Sequence, residues 1–282
     1  MHTGNFTFSD MWLESIKTRY LPSRVVKIGN LFFANVNGIY RCQHFFDFNI
    51  TKDEFNQLEY YINKGMKIRF SYIDKKLFDK IKTWCDNEKI IITILDMWDA
   101  PKLNLSNEFI SEYLLNKCGK QTSRNYKKYK KHFFDYKYID SKSSDVNILW
   151  NDTLYIDLHS WKAKEKSDMR SLDREDIQYE LFLKQNQKDS LLNLIYYKKT
   201  PLAYSLMFKD AKKNEWYAVK WGASNDGRKH YAGLFCLYNS LEKLEQIEGK
   251  VNLDFWGRRS STYDLLKNHE DKRYHILLEK LL

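Results

Sequence analysis

The stretch that most restricts the fold runs from Val219 to Leu244: VKWGASNDGRKHYAGLFCLYNSLEKL. It reads as a strand, a polar loop rich in Gly, Asn, Asp and basic residues, and then a helix. Leu234, Leu237, Leu241 and Leu244 share one face of that helix, and Gly249 is placed to end it. A helix N-terminus offers free amides and a partial positive charge, so a basic loop opening a helix beside a strand end suits an anion. A plain connecting loop is the alternative.

The flanking segments follow a regular order. In the second half, LYIDLH (154–159) reads as a strand and residues 173–186 as a helix. Strands follow at 191–198, 202–210 and 215–222, then the long helix, a strand VNLDFW (251–256), a short helix TYDLLKN and a last strand RYHILLEK. Before it, MWLESIKTRY reads as a helix, RVVKI and NLFFANV as strands, and NGIYRCQHF as a strand after an Asn37-Gly38 turn. KDEFNQLEYYIN and KKLFDKIKTWC read as helices, MKIRFSYI and KIIITILDM as strands, and DAPKLNLSNEFISEYLLNK as a loop and then a helix.

With 282 residues the chain can form one large domain or two smaller ones. No run of about 18 apolar residues is present, which excludes a membrane-spanning helix. The N-terminus lacks the basic and then apolar pattern of a signal peptide. Cys42, Cys85, Cys118 and Cys236 are scattered without metal-ligand spacing, so free thiols in the cytoplasm and no metal are expected.

The net charge of +10 is concentrated. Residues 117–142 alone carry nine basic and two acidic side chains. Tyr126, Tyr129, Phe133 and Tyr136 recur there at helical spacing, which predicts a helix over about 123–138, capped by Thr122 or Ser123 and joining two halves of the protein. The lysines form either a solvated face or a surface for an acidic partner.

The β-α-β-β-β-α-β-α-β order of the second half, with its residues, resembles the acyltransferase domain of the GNAT superfamily. More narrowly, the whole chain resembles the branch with two GNAT-like halves, the FemAB-like and CelD-like acyltransferases. The resemblance is carried by DAPKLNLSNEFISEYL, SRNYKKYKK, SWKAKEKS, KWGASNDGRKHYAG and LDFWGRR, in that order along the chain. It implies an α/β (α+β) fold of tandem GNAT-like domains, each a mixed, mostly antiparallel sheet flanked by helices. The expected division is an N-terminal domain over 1–120, a basic linking helix over 121–142 and an acyltransferase domain over 143–282.

The resemblance also implies chemistry. Strand 215–222 would splay from strand 251–256, and the gap would hold the pantetheine arm of an acyl-coenzyme A. Its pyrophosphate would sit on the helix N-terminus near Arg228, Lys229, Tyr231, Ala232 and Gly233. Tyr231 stands where the family motif has a glycine, which keeps an aminoacyl-tRNA donor open. A backbone amide around Trp221, Gly222 and Ala223 would polarise the donor carbonyl. Asp254 is a candidate base or the partner of Arg258 or Arg259. His230 is a candidate acid or base but lies where phosphate is expected. Tyr263 is a candidate acid or a core tyrosine. Trp161 and Lys162 would flank the acceptor cleft, and Arg258 and Arg259 would clamp an acceptor diphosphate or remain surface charges.

Three functions follow as expectations. The first is an acyl-coenzyme A-dependent N-acyltransferase whose amine acceptor is a nucleotide-linked amino sugar used for surface polysaccharide. The second is an aminoacyl-tRNA-dependent ligase modifying a cell-wall precursor, although the coiled-coil insertion common in that family is missing. The third is a nucleic-acid-binding module built on the lysine–tyrosine segment.

Overall fold

The structure, a computed structural model, describes residues 6–45, 48–140, 145–171, 174–211, 213–256 and 260–280. The chain forms two compact units, one of Met1–Ala100 with Glu270–Leu282 and one of Pro101–His269. The division differs from the expected 1–120, 121–142 and 143–282. A single strand, Ile90–Leu105, runs through the first boundary, and the last strand returns to the first unit.

In the first unit, helix α1 (Asp10–Arg19) is capped by Ser9, whose Oγ accepts from Trp12 N at 3.2 Å. Strands β1 (Val25–Ile28), β2 (Leu31–Val36) and β3 (Ile39–Cys42) form an antiparallel meander. The β2–β3 turn places Asn37 at φ 54° and Gly38 at φ 81°, the left-handed pair expected of an Asn-Gly hairpin. Helix α2 (Lys52–Asn63) opens on a complete capping box between Thr51 and Glu54. Strand β4 (Lys67–Asp74) runs parallel to β3, and Asp74 caps helix α3 (Lys75–Glu88). Strand β5 (Ile90–Leu105) follows. The apolar stripes Phe55, Leu58, Ile62 and Leu77, Ile81, Cys85 pack with Ile68 and Phe70 of β4 into one core.

The second unit begins within β5. Helix α4 (Ile110–Glu112) runs into a π-helical turn at Tyr113–Lys117, then α5 (Lys120–Tyr129), β6 (Asp135–Ile139) and α6 (Val146–Leu158). Next come α7 (Trp161–Lys164), α8 (Glu175–Gln185), β7 (Ser190–Tyr197), β8 (Thr200–Asp210) and β9 (Glu215–Ala223). The unit closes with α9 (Asn225–Lys229), α10 (Ala232–Glu248), β10 (Val251–Asp254) and α11 (Ser261–Asp264), before β11 (His269–Lys280) pairs with β4 in the first unit's sheet. Its strand order is β5-β10-β9-β8-β7-β6, antiparallel except for β9 with β10. In each unit the strand pairing is therefore mixed and mostly antiparallel, with helices against the strands.

One register detail shapes the second unit. Among the described residues the β9–β10 ladder holds Leu253 opposite Trp216 and Asp254 opposite Tyr217. Beyond Tyr217, β9 runs on to Ala223 without β10 beside it. Val219 is the extra residue of a bulge against β8, between Lys220 paired with Leu206 and Ala218 paired with Met207. A bulge bends its strand and increases its twist, so β9 leaves β10 where the splay was expected.

Four expected elements differ. Residues 154–159 end helix α6 and are not a strand. The alternation Leu154, Ile156, Leu158 reads as a strand, but Leu149, Trp150, Thr153, Leu154 and Asp157 form a buried stripe at helical spacing. The helix predicted over 123–138 stops at Tyr129, and 135–139 is strand β6, paired with β7. Tyr126 and Tyr129 are buried against Tyr238 and Phe235 of α10, whereas Phe133 is 96% exposed. Phe134, Tyr136 and Tyr138 alternate toward the core at strand period, and that pattern overlapped the helical one. Helix α5 lies within the second unit. Residues 99–105, read as loop, continue β5, with Pro101 one residue outside the ladder to β10. Residues 255–256, read as strand, lie beyond the end of β10.

Candidate functional site

A cavity of about 390 Å³ opens in the second unit. Its floor is the free end of β9, through Trp221, Gly222 and Ala223, and one side is the start of α10, through Tyr231, Gly233 and Leu234. Trp161 and Lys162 of α7, Arg228 of α9, and Ser260, Ser261 and Thr262 at α11 complete the wall.

The local sequence makes this shape for identifiable reasons. Ser224 follows β9 and caps α9, its Oγ accepting from Gly227 N at 3.0 Å. A Cβ on Gly227 would lie 2.2 Å from the Leu202 carbonyl oxygen, so only glycine lets α9 pack this close to β8. A Cβ on Gly222 would lie 2.8 Å from the Tyr204 ring. Tyr231 then takes the left-handed conformation, φ 56° and ψ 19°, at the cap of α10. It is the residue standing in for the motif glycine, and a non-glycine residue carries a cost of roughly 1–2 kcal/mol there. Among the described residues no side chain caps α10, which leaves its first-turn amides open beside Gly233 and Leu234. Trp221 Nε1 donates to the Gly233 carbonyl at 2.7 Å and ties the floor to the helix start.

Lys162 is the most buried cation of the wall, its side chain 16% exposed. Its Nζ donates to the Trp221 carbonyl and lies 3.5 Å from Asp157 Oδ1. Burial pushes its pKa below the ordinary lysine value; Asp157 opposes that, and the nearby Lys220 adds to it. Asp157 is buried beneath, accepting from the Tyr204 hydroxyl at 2.6 Å and from Met169 N at 2.7 Å. Burial and that carboxylate push the Tyr204 pKa upward.

Eight of the residues picked from sequence meet at this cavity: Trp161, Lys162, Trp221, Gly222, Ala223, Arg228, Tyr231 and Gly233. Others stand away from its wall. Lys229 is exposed and pairs with Asp226 at 2.8 Å. His230 ends α9 in an exposed position, 5.9 Å from the Tyr197 ring. Ala232 is buried as the first residue of α10. Tyr263 packs behind the wall, stacked on Phe255 at 4.6 Å, and burial raises its pKa. Asp254 is fully buried; its carboxylate accepts from Trp256 N at 2.8 Å and lies 3.5 Å from Lys102 Nζ. Arg258 and Arg259 lie outside the described residues.

Sequence reasoning missed Ser260, Ser261, Thr262 and the support given by Asp157 and Tyr204. The SST run after GRR was the available signal for the first three. Asp157 was assigned to a strand, which hid its position one turn before Ser160. Among the described residues no cluster of His, Cys, Asp and Glu could hold a metal ion, and no helix is long and apolar enough to cross a membrane.

No protein-family model matches the sequence, and no curated protein matches it. Solved structures do share the fold. The tandem GNAT protein from the clavulanic acid biosynthesis pathway aligns with a TM-score of 0.55 at 9% identity, over 95% of this chain and 87% of that one. FemX aligns at 0.56 and 11% identity, over 96% and 92%. The L-PGS of Bacillus licheniformis aligns at 0.59 and 11% identity, over 89% and 80%. The chain therefore has a tandem GNAT-like fold.

Proposed function

We propose that this protein is an N-acyltransferase that moves an acyl group from acyl-coenzyme A to an amine, with an amino sugar carried on a nucleotide as acceptor. The observation that carries this reading is the meeting of the splayed end of β9 with the uncapped start of α10 at one cavity. A pantetheine arm can run along the end of β9 that extends past β10. A pyrophosphate can take the amides at Gly233 and Leu234 together with the Arg228 guanidinium. The carbonyl to be attacked would then lie near Trp221–Ala223, beside Lys162. The wall hydroxyls of Ser260, Ser261 and Thr262 suit a polar acceptor such as a sugar.

A second reading is favoured by one contact. Lys128 Nζ lies 5.4 Å from the centroid of the Tyr231 ring, which brings the basic helix α5 to the cavity rim. An aminoacyl-tRNA donor would use such a rim, and FemX shares the fold.

A thermal-shift comparison of coenzyme A, acetyl-coenzyme A and a charged tRNA separates the two. A ligand at 100 times its dissociation constant stabilises by about 2.7 kcal/mol. The proposal expects a shift with the coenzyme A species. A shift with charged tRNA alone replaces it with the second reading.

A further inference from the structure

The reactive amine of an acceptor must lose a proton, and the departing thiolate must gain one. Neither Asp254 nor His230 lines the cavity. Lys162 does, and its surroundings differ from those of a structural lysine. The pairs Lys220–Glu175 and Lys209–Glu248 close to 2.6 and 2.7 Å. Lys162 stays 3.5 Å from Asp157, whose oxygens already accept from Met169 N and the Tyr204 hydroxyl. Its nearest partner is a neutral one, the Trp221 carbonyl at the end of β9. The Tyr204 ring lies 5.7 Å from its Nζ. Ser160 fixes the start of α7 by accepting from Lys162 N at 3.2 Å.

We infer that Lys162 is the proton carrier of the transfer step, a role that rests on the acyl-transfer reading above. In its neutral form Lys162 donates one N–H to the Trp221 carbonyl and keeps its lone pair for the acceptor. As the acceptor nitrogen bonds to the donor carbonyl carbon, its proton moves to Lys162 Nζ. As the carbon–sulfur bond breaks, the Lys162 ammonium returns that proton to the leaving thiolate. The amide and free coenzyme A form, and Lys162 ends as it began. Asp157 and Tyr204 are positioning residues that hold the lysine at the cavity wall.

The charged neighbours set the expected pH behaviour. Asp157 from α6 favours the ammonium, Lys220 from β9 disfavours it, and Glu175 from α8 is tied to Lys220. Arg228 of α9 adds a positive charge on the same wall. Burial is the largest influence and favours the neutral amine. The acidic limb of the rate should therefore fall below the pH at which an exposed lysine titrates. Removing the Asp157 charge should move that limb lower still.

The test is pH-dependent labelling of the full chain with dinitrofluorobenzene, read peptide by peptide by mass spectrometry. Lys162 is expected to titrate at lower pH than the exposed Lys127 and Lys198, to titrate lower again in Asp157→Asn, and to be protected by acetyl-coenzyme A. Titration together with the exposed lysines, or no labelling at any pH, overturns the inference. Low titration without protection counts against coenzyme A as donor and supports Lys162 as the titrating group of the cavity. A second arm uses thiol release from acetyl-coenzyme A in the presence of a uridine diphosphate-linked amino sugar. Lys162→Arg keeps the charge but holds its proton, so kcat should fall about 10²–10⁴-fold while KM for acetyl-coenzyme A changes little. Full activity in Lys162→Arg overturns the inference without touching the donor assignment.

Discussion

Trp221 and Gly233 are joined by a 2.7 Å hydrogen bond from the indole Nε1 to the glycine carbonyl. The bond fixes the free end of β9 against the first turn of α10, and the cavity lies between them. A Cβ on Gly233 would sit 3.3 Å from the same indole, so the two residues are also in close contact. Trp221→Phe removes the donor and keeps most of the packing. It should cost about 1 kcal/mol in a urea titration, the usual net worth of one hydrogen bond, and weaken coenzyme A binding.

Gly227 faces a harder limit. Alanine there would bring Cβ to 2.2 Å from the Leu202 carbonyl oxygen, a backbone atom that cannot turn aside. Gly227→Ala should destabilise by about 1–3 kcal/mol, as overpacking does. Thermal melting checks it; an unchanged Tm would mean that α9 sits further from β8.

The basic segment divides into a buried and an exposed part. The hydroxyls of Tyr126 and Tyr129 both donate to Glu242 of α10, and Tyr129 packs on Phe235. Tyr129→Ala should cost roughly 2–4 kcal/mol in chemical denaturation. Phe133→Ala should change stability by less than about 0.5 kcal/mol, because that ring is 96% exposed. Similar losses in both variants would restore the continuous helix that the aromatic spacing suggested.

That pair of residues shows how far the sequence could be read. Strands with strong alternation or β-branching, such as β4, β7, β8 and the start of β5, and helices with caps, such as α2 and α3, were legible because local propensity and burial agree there. The α5–β6 segment was not, because Tyr126, Tyr129, Phe133 and Tyr136 satisfy a helical spacing while Phe134, Tyr136 and Tyr138 satisfy a strand one. Only pairing with β7 decides between them, and that is a non-local fact. Helix α6 failed for a similar reason: it is apolar on most sides, so Leu154, Ile156 and Leu158 also fit a strand. At the site, the loop from Trp221 to Gly233 was legible from its glycines and its helix start. Lys162 was placed at the cleft, but its link to Asp157 and Tyr204 depends on α6 being a helix.

Asp254 separates structural from chemical roles. It is wholly buried, with Lys102 at 3.5 Å and the Trp256 amide at 2.8 Å, and it does not line the cavity. Asp254→Asn should lower stability by about 1–3 kcal/mol, the cost of disturbing a buried hydrogen-bonded charge. Its kcat should stay within about threefold of wild type, whereas loss of a base costs 10²–10⁴. A large fall in kcat with unchanged stability would return the base role to Asp254.

The donor assignment is the centre of this account, and calorimetric titration with coenzyme A tests it most directly. Arg228 lines the cavity beside the open first turn of α10, where the pyrophosphate is proposed to bind. The wild-type chain should bind one coenzyme A, and Arg228→Ala should weaken it by about 1.5–3 kcal/mol, the range for a hydrogen bond to a charged group. No heat of binding with the folded wild-type chain, or equal affinity in Arg228→Ala, would contradict the placement of an acyl-coenzyme A in this cavity.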